Sequence, residues 1–247
     1  MIYISKIFLN SLAGYENEYW ADLPAVHELL TKDGIQFKSP VTYIVGENGI
    51  GKSTIIEALA VSYGFNPEGG SRNFNYHTND THSSLAGAVT LLKTYHQASD
   101  GFFLRAESIY GVQSYIDDIA RGRGAEAFYN QYGGKSLHLR SHGEAFITLV
   151  QTRFRGKGLY ILDEPESALS PARQLSLMAR MKQLVDDDSQ FIISTHSPIL
   201  MAFPGASILQ FDDNGVQEVS YIDTDHYRLT KYFLNNTDQM LSELGIF

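Results

Sequence analysis

The stretch VTYIVGENGIGKSTIIEALAVSYG, residues 41–64, constrains the fold of this chain more than any other. VTYIV is a short, largely β-branched run suited to a buried strand, and TIIEALAVSYG carries apolar residues at helical spacing until Gly64 stops it. Between them GENGIGKS, Gly46 to Ser53, satisfies G-x-x-x-x-G-K-[ST] in full. A strand, a glycine-rich turn and a helix in this order form a loop whose backbone N–H groups face inward at a helix N-terminus, where an anion is favoured. A phosphate site is therefore expected from Gly46, Glu47, Asn48, Gly49, Ile50, Gly51, Lys52, Ser53 and Thr54. Lys52 is expected to reach the β- and γ-phosphates, Ser53 to ligate Mg²⁺, and Thr54 to lie by the α-phosphate.

The rest of the chain alternates strands with helices, which favours a mainly parallel sheet in one α/β domain. MIYISKIFLN alternates like a half-buried strand, and residues 11–40 read as a hairpin or loop excursion. LAGAVTLLKTYHQ is predicted helical, GFFLRAESIY a strand, and residues 143–154 an amphipathic helix. PARQLSLMARMKQLV is a helix entered through Ser170 and Pro171, QFIIST a buried strand, and SILQF with VQEVSYI a hairpin across DDNG. The tail from Asp225 is predicted mostly helical. The polar segment Asn66–Ser84 reads as a long loop or lid. Its His77, Asp80 and His82 suggest a metal site, but no fourth ligand is evident, and a lid or partner-docking loop fits them better.

Two further motifs answer the first. LYILDEPES places Asp163 at the C-terminal end of an apolar strand, where open α/β sheets bind ligands, so Asp163 is expected to hold Mg²⁺ and Glu164 to activate water as general base. STHSP follows the next strand and puts His196, 33 residues after Asp163, within reach of a γ-phosphate. Upstream, LRSHGEAF starts a helix with Ser141 and Gly143, 22 residues before Asp163 in the case of Ser141. Its Ser and Glu also have the spacing of a simple N-cap.

Composition narrows the function classes. Of 247 residues, 28 are acidic and 19 are Lys or Arg, a net charge of −9 that works against broad, charge-driven nucleic-acid binding. Arg121, Arg123, Lys135, Arg140, Arg153, Arg155 and Lys157 cluster, and read as a solvated surface. The absence of Cys fits a reducing, cytoplasmic setting. No signal-peptide pattern and no apolar run of about 18 residues occurs, so direct membrane insertion is not expected.

GENGIGKST, SHGE, LYILDEPESALS and STHSP together resemble the ATP-binding-cassette (ABC) ATPases, and most of all the soluble AAA-type, SMC- and RecF-like branch. FNPEGGSRNFN, DGFFLRAES, SHGE and HYRLT are similar to a group of compact bacterial ATPases. The resemblance implies an ABC-ATPase head, a P-loop NTPase with a mainly parallel central sheet, an antiparallel β portion and a helical signature subdomain. It makes 1–247 a single domain, with the lid and signature subdomain at about 66–157 inserted between the Walker A and Walker B motifs. It also implies an ATP-dependent homodimer, in which Ser141 and Gly143 of one subunit close over the γ-phosphate bound to the other. Such an ATPase switch would serve DNA metabolism, phage defence or a partner protein; the alternative is the energy subunit of a membrane transporter. A small-molecule kinase is disfavoured, because Glu164 and His196 suit attack by water. The sequence departs from the family pattern at His142, Glu144 and Ser170. Glu107, Gln97 and Gln113 are the candidates for its Q-loop residue, and Tyr3, Tyr15, Tyr19 and Trp20 are the aromatics available to stack on adenine.

Overall fold

A computed structural model describes residues 1–72, 83–122 and 129–246. The chain opens with β1 (Ile4–Leu9), α1 (Pro24–Leu29), β2 (Ile35–Gln36), β3 (Val41–Gly46) and α2 (Lys52–Tyr63). It continues through α3 (Leu85–Ala88), β4 (Val89–Lys93), β5 (Asp100–Arg105), α4 (Ile109–Gly122) and α5 (His142–Arg153). The last third holds β6 (Gly158–Asp163), α6 (Pro171–Asp186), β7 (Gln190–Ser194), α7 (Pro198–Met201), β8 (Ser207–Asp212), β9 (Gly215–Val219), α8 (Asp225–Asn235) and α9 (Thr237–Glu243).

Six strands form the central sheet in the order β5-β6-β7-β3-β8-β9. The first five run parallel, and β9 returns antiparallel to β8 across the turn at Asp213 and Asn214, as the DDNG hairpin predicts. The interior strands β3, β6 and β7 are buried at every position, which is why they read as unbroken apolar runs. Alternate residues still face opposite ways. Tyr43, Tyr160, Leu162, Phe191 and Ile193 pack with α5 and α6 on one face. Ile44, Leu159, Ile161 and Ile192 pack with α2 on the other. Each such side chain contributes about 1.5–3 kcal/mol on burial.

A second, antiparallel sheet in the order β2-β1-β4 lies outside the main one. It corrects the reading of LAGAVTLLKTYHQ as a helix, because only the single turn of α3 is helical and Val89–Lys93 pairs along β1. The open edge of β1 supplies backbone partners that outweigh a weak helical preference, and Val89 and Thr90 are β-branched. The excursion at 11–40 contains α1, entered through Pro24 at its first position, a signal that the loop reading passed over. GFFLRAESIY is strand only as far as Arg105, since α4 starts at Ile109. Ser170 stands at the N-cap of α6, yet its side chain makes no capping bond. The basic cluster is not all solvated surface: Arg153 pairs with Asp100 at 2.7 Å, mostly shielded from water. His77, Asp80, His82 and Arg123 lie outside the described residues.

Strand register assembles the functional end of the sheet. Arg105 on β5 stands beside Asp163 on β6, Asp163 beside Ser194 on β7, and Ser194 beside Ile44 on β3, two residues before Gly46. Four strand ends thus deliver an arginine, an acid, a serine with the histidine that follows it, and the phosphate loop to one edge, and no two of these strand ends are near each other in sequence.

Candidate nucleotide site

The loop after β3 turns through glycines with φ of 148° at Gly46, 85° at Gly49 and 105° at Gly51. A Cβ at Gly46 would lie 2.4 Å from the carbonyl oxygen of Phe211 on the neighbouring strand, so close approach as well as conformation demands glycine there. Gly51 is the N-cap of α2. Ile50 points into the core and its carbonyl accepts the N–H of Ala25, which ties α1 to the loop. Lys52 is only 4% exposed, and its ammonium donates to the carbonyls of Gly46 at 2.9 Å and Glu47 at 2.8 Å. Burial pulls its pKa down, against the opposing field of Glu164, Asp163, Glu47 and Glu166.

Ser53 Oγ donates to Asp163 Oδ1 at 3.2 Å, bringing together the two predicted Mg²⁺ ligands from positions 110 residues apart. Ser194 Oγ donates to the same oxygen at 2.5 Å, and Arg105 Nε stands 3.5 Å from Asp163 Oδ2. Burial pushes the Asp163 carboxyl up, opposed by Ser194, Arg105 and Ser53. The pair of hard oxygens, hydroxyl and carboxylate, is the donor chemistry that suits Mg²⁺. Arg105 also pairs with Glu57 at 2.9 Å and Glu107 at 2.6 Å.

Glu164 adopts φ 46°, a left-handed conformation uncommon for a residue with a Cβ. Its N–H faces the Ser194 carbonyl and hydroxyl at 3.2 and 3.1 Å, which holds the strained turn in place. Its side chain is left partly open to solvent and 3.6 Å from His196 Nε2. His196 is fixed from behind: its backbone N–H donates to Glu166 Oε1 at 2.5 Å, and Nδ1 lies 3.0 Å from Nε2 of His226 on α8. Burial, then the Lys52 charge and His226, hold the His196 pKa below 6.5.

Two clefts share Ser53 and Glu164. One, about 440 Å³, is lined by Tyr19, Asn48, Gly49, Gly51, Lys52 and Thr54. The other, about 640 Å³, is lined by Arg105, Glu107, His142, Asp163 and Ser167. Glu47 borders a smaller recess with Gly46, Ile50 and His226. Of the four aromatics, Tyr3 and Trp20 are buried and Tyr15 packs on Trp20, whereas Tyr19 is 68% exposed at the mouth of the loop cleft. Of the three Q-loop candidates, Glu107 reaches the Asp163 cleft, Gln113 is buried, and Gln97 lines a separate cleft.

Ser141 forms a complete capping box at the start of α5: its hydroxyl accepts from Glu144 N–H at 3.4 Å, and Glu144 Oε2 accepts from Ser141 N–H at 3.0 Å. Arg173 pairs with Glu144 at 3.3 Å. Ser141 is exposed, whereas Gly143 is buried where a Cβ would come within 2.6 Å of the Ala168 carbonyl oxygen. Sequence reasoning missed Arg105, Ser194 and Glu166 as parts of the site, and His226 as well. Each lies inside a quoted motif, Arg105 in DGFFLRAES, Glu166 in LYILDEPESALS, Ser194 in STHSP and His226 in HYRLT, but its part in the site shows only once the strands are aligned and the last helices are seated.

A family model described as an AAA domain matches residues 28–162, more than half of the chain. A second AAA-domain model, associated with a candidate AbiEii toxin of type IV toxin–antitoxin systems, matches residues 145–202. The guanosine import ATP-binding protein NupO of Bacillus subtilis is 26% identical over 63% of this chain and 32% of its own length, so this chain matches about a third of that relative. An ABC transporter ATP-binding protein of Haemophilus influenzae is 26% identical over 72% of this chain and 73% of its own. Among solved structures, the SMC head domain from Thermotoga maritima aligns at 19% identity over 75% of this chain and 92% of that one, with a TM-score of 0.38. The P-loop after β3, the acid pair at the end of β6 and the match to the AAA-domain model together place this chain in the AAA-domain family of ABC-type P-loop ATPases.

Proposed function

We propose that the chain binds ATP with Mg²⁺, hydrolyses the nucleotide, and works as a nucleotide-gated homodimeric switch. The observation that carries this reading is the meeting of Ser53 Oγ with Asp163 Oδ1 at 3.2 Å, beside a phosphate loop whose lysine is already buried. Ser53 and Asp163 would hold Mg²⁺, which supplies charge neutralisation on the phosphate oxygens. Lys52 exchanges its loop carbonyls for the β- and γ-phosphates, and Tyr19 offers its exposed ring to the adenine. Glu164, open to the cleft, positions and deprotonates the attacking water, while His196 faces the departing phosphate. Ser141 and Gly143 act in trans at the N-terminus of α5, adding contacts that exist only with the third phosphate present and so favour the closed dimer.

The test is the solution mass of Glu164→Gln with and without ATP and Mg²⁺. A monomer-to-dimer shift with ATP and none with ADP is the expected result; bound ATP without a mass change would overturn the homodimeric switch. DNA metabolism and phage defence are the roles proposed for it, the latter favoured by the toxin-associated model over residues 145–202. Stimulation of turnover by DNA ends would support the first. A second reading, the energy subunit of a transporter, draws on the relatives from Bacillus subtilis and Haemophilus influenzae. Among the described residues no helix is long and apolar enough to cross a membrane, so that reading requires co-purification with a membrane protein from another chain.

A further inference from the structure

His226 belongs to no motif of the phosphate site, yet it touches the site's histidine. It sits in the first turn of α8, a helix with no buried residue of its own. Thr224 Oγ1 caps that turn by accepting the Tyr227 N–H, and the turn meets the body where Asp225 accepts from Gln210 at 3.3 Å and Tyr227 packs on Tyr221 with ring centres 4.6 Å apart. From there His226 reaches behind the phosphate loop, beside Gly46 and Glu47, and places Nε2 3.0 Å from His196 Nδ1. The opposite nitrogen, His196 Nε2, is sealed from solvent and has no hydrogen-bond partner among the described residues; Glu164 Oε1, at 3.6 Å, is too far to serve.

Burial, with Lys52 nearby, holds both imidazoles below 6.5, so each is neutral at neutral pH. A bond between two neutral imidazoles needs one N–H and one lone pair, and the choice fixes the far nitrogen of each ring. If His196 donated from Nδ1, its Nε2 would present a lone pair to the Glu164 carboxylate and to an incoming phosphate, both anionic. If His226 donates, His196 Nε2 carries the hydrogen and faces those anions as a donor. We propose that His226 is a positioning residue that donates from Nε2 to His196 Nδ1, holding His196 as the Nε2–H tautomer that meets the γ-phosphate. The proposal rests on the assignment of His196 to the hydrolytic site. It also makes the docking of α8 a condition for hydrolysis, because the helix has to be seated for His226 to reach.

The imidazole nitrogens are read first, in ¹⁵N-labelled protein by two-bond ¹H–¹⁵N correlation. In the wild type His196 is expected to show a protonated Nε2 and a bare Nδ1; a protonated Nδ1 would overturn the proposal whatever the turnover. The second measurement is steady-state ATP hydrolysis alongside equilibrium ATP binding, for His226→Phe, His226→Gln, His196→Ala and the double variant His196→Ala/His226→Phe. His226→Phe keeps the ring volume and loses the donor; kcat is expected to fall about 10–100-fold, the usual scale for a group that orients a functional histidine, with ATP affinity within about twofold. His226→Gln places an amide N–H where the imidazole donor stood and is expected to recover most of that loss. The double variant is expected to be no slower than His196→Ala. Equal losses in the Phe and Gln variants, or none in Phe while His196→Ala is inactive, would overturn the role of His226. Wild-type turnover in His196→Ala would instead overturn the assignment of His196 itself.

Discussion

At the scale of single residues, the site sets ionisable groups against their ordinary states. Lys52 is buried with its charge satisfied by loop carbonyls, so its ammonium is already desolvated and oriented before a phosphate arrives. Lys52→Ala is expected to weaken ATP binding at least tenfold by isothermal titration, because removal of a charge-assisted contact costs about 1.5–3 kcal/mol. His196 and His226 provide a pH signature that needs no nucleotide. Burial comes first in depressing both rings and the Lys52 charge adds to it, while Glu47 and Glu164 oppose the shift at His196, and Glu47 and Asp225 oppose it at His226. The unfolded chain takes up protons near pH 6.5 that the folded rings refuse, so stability contributed here is present above that pH and is lost as pH falls toward the folded values. Melting temperatures measured down from pH 7 are expected to drop, and the double variant His196→Gln/His226→Gln to show a shallower slope; parallel slopes would refute the assignment.

At the scale of elements, α5 carries two demands at one end. Ser141 caps the helix in the isolated chain, and the proposed trans contact asks the same hydroxyl to meet a phosphate. The two roles separate by substitution. Ser141→Ala is expected to cost about 1 kcal/mol of stability through the lost cap, measured in urea. Ser141→Asp keeps a capping carboxylate and so keeps most of the stability, but sets negative charge against the γ-phosphate and is expected to abolish ATP-dependent dimerisation. If Ser141→Asp still dimerised with ATP in a Glu164→Gln background, the hydroxyl would have no part in trans binding. Gly143 is under a different constraint: it lets α5 lie against the turn that follows Glu164, so α5 and the acid pair are packed as one unit.

At the scale of the whole molecule, the sheet is the device that brings distant motifs to one edge. Ile192 lies in β7 between β6 and β3, so Ile192→Ala is expected to cost about 2–5 kcal/mol in urea unfolding and to loosen both neighbours of the site. The α/β class, the phosphate loop, the strand-final Asp163 and the approximate place of α5 were legible in the sequence, because each rests on local chemistry: glycine freedom, apolar runs and caps. Val89–Lys93 was not, since its strand state comes from the waiting edge of β1, a partner about eighty residues away, and local preference there is weak. Nor were Arg105, Ser194 and His226, whose meaning is a matter of register and docking: Arg105 and Ser194 flank Asp163 only once the strands are aligned, and His226 meets His196 only once α8 is seated. Sequence alone determined the loop and the groups proposed to hold phosphate. Tertiary structure alone decided which groups surround them, because a hydrogen bond of about 3 Å between residues 30 positions apart is set by packing and cannot be read from either local stretch by itself.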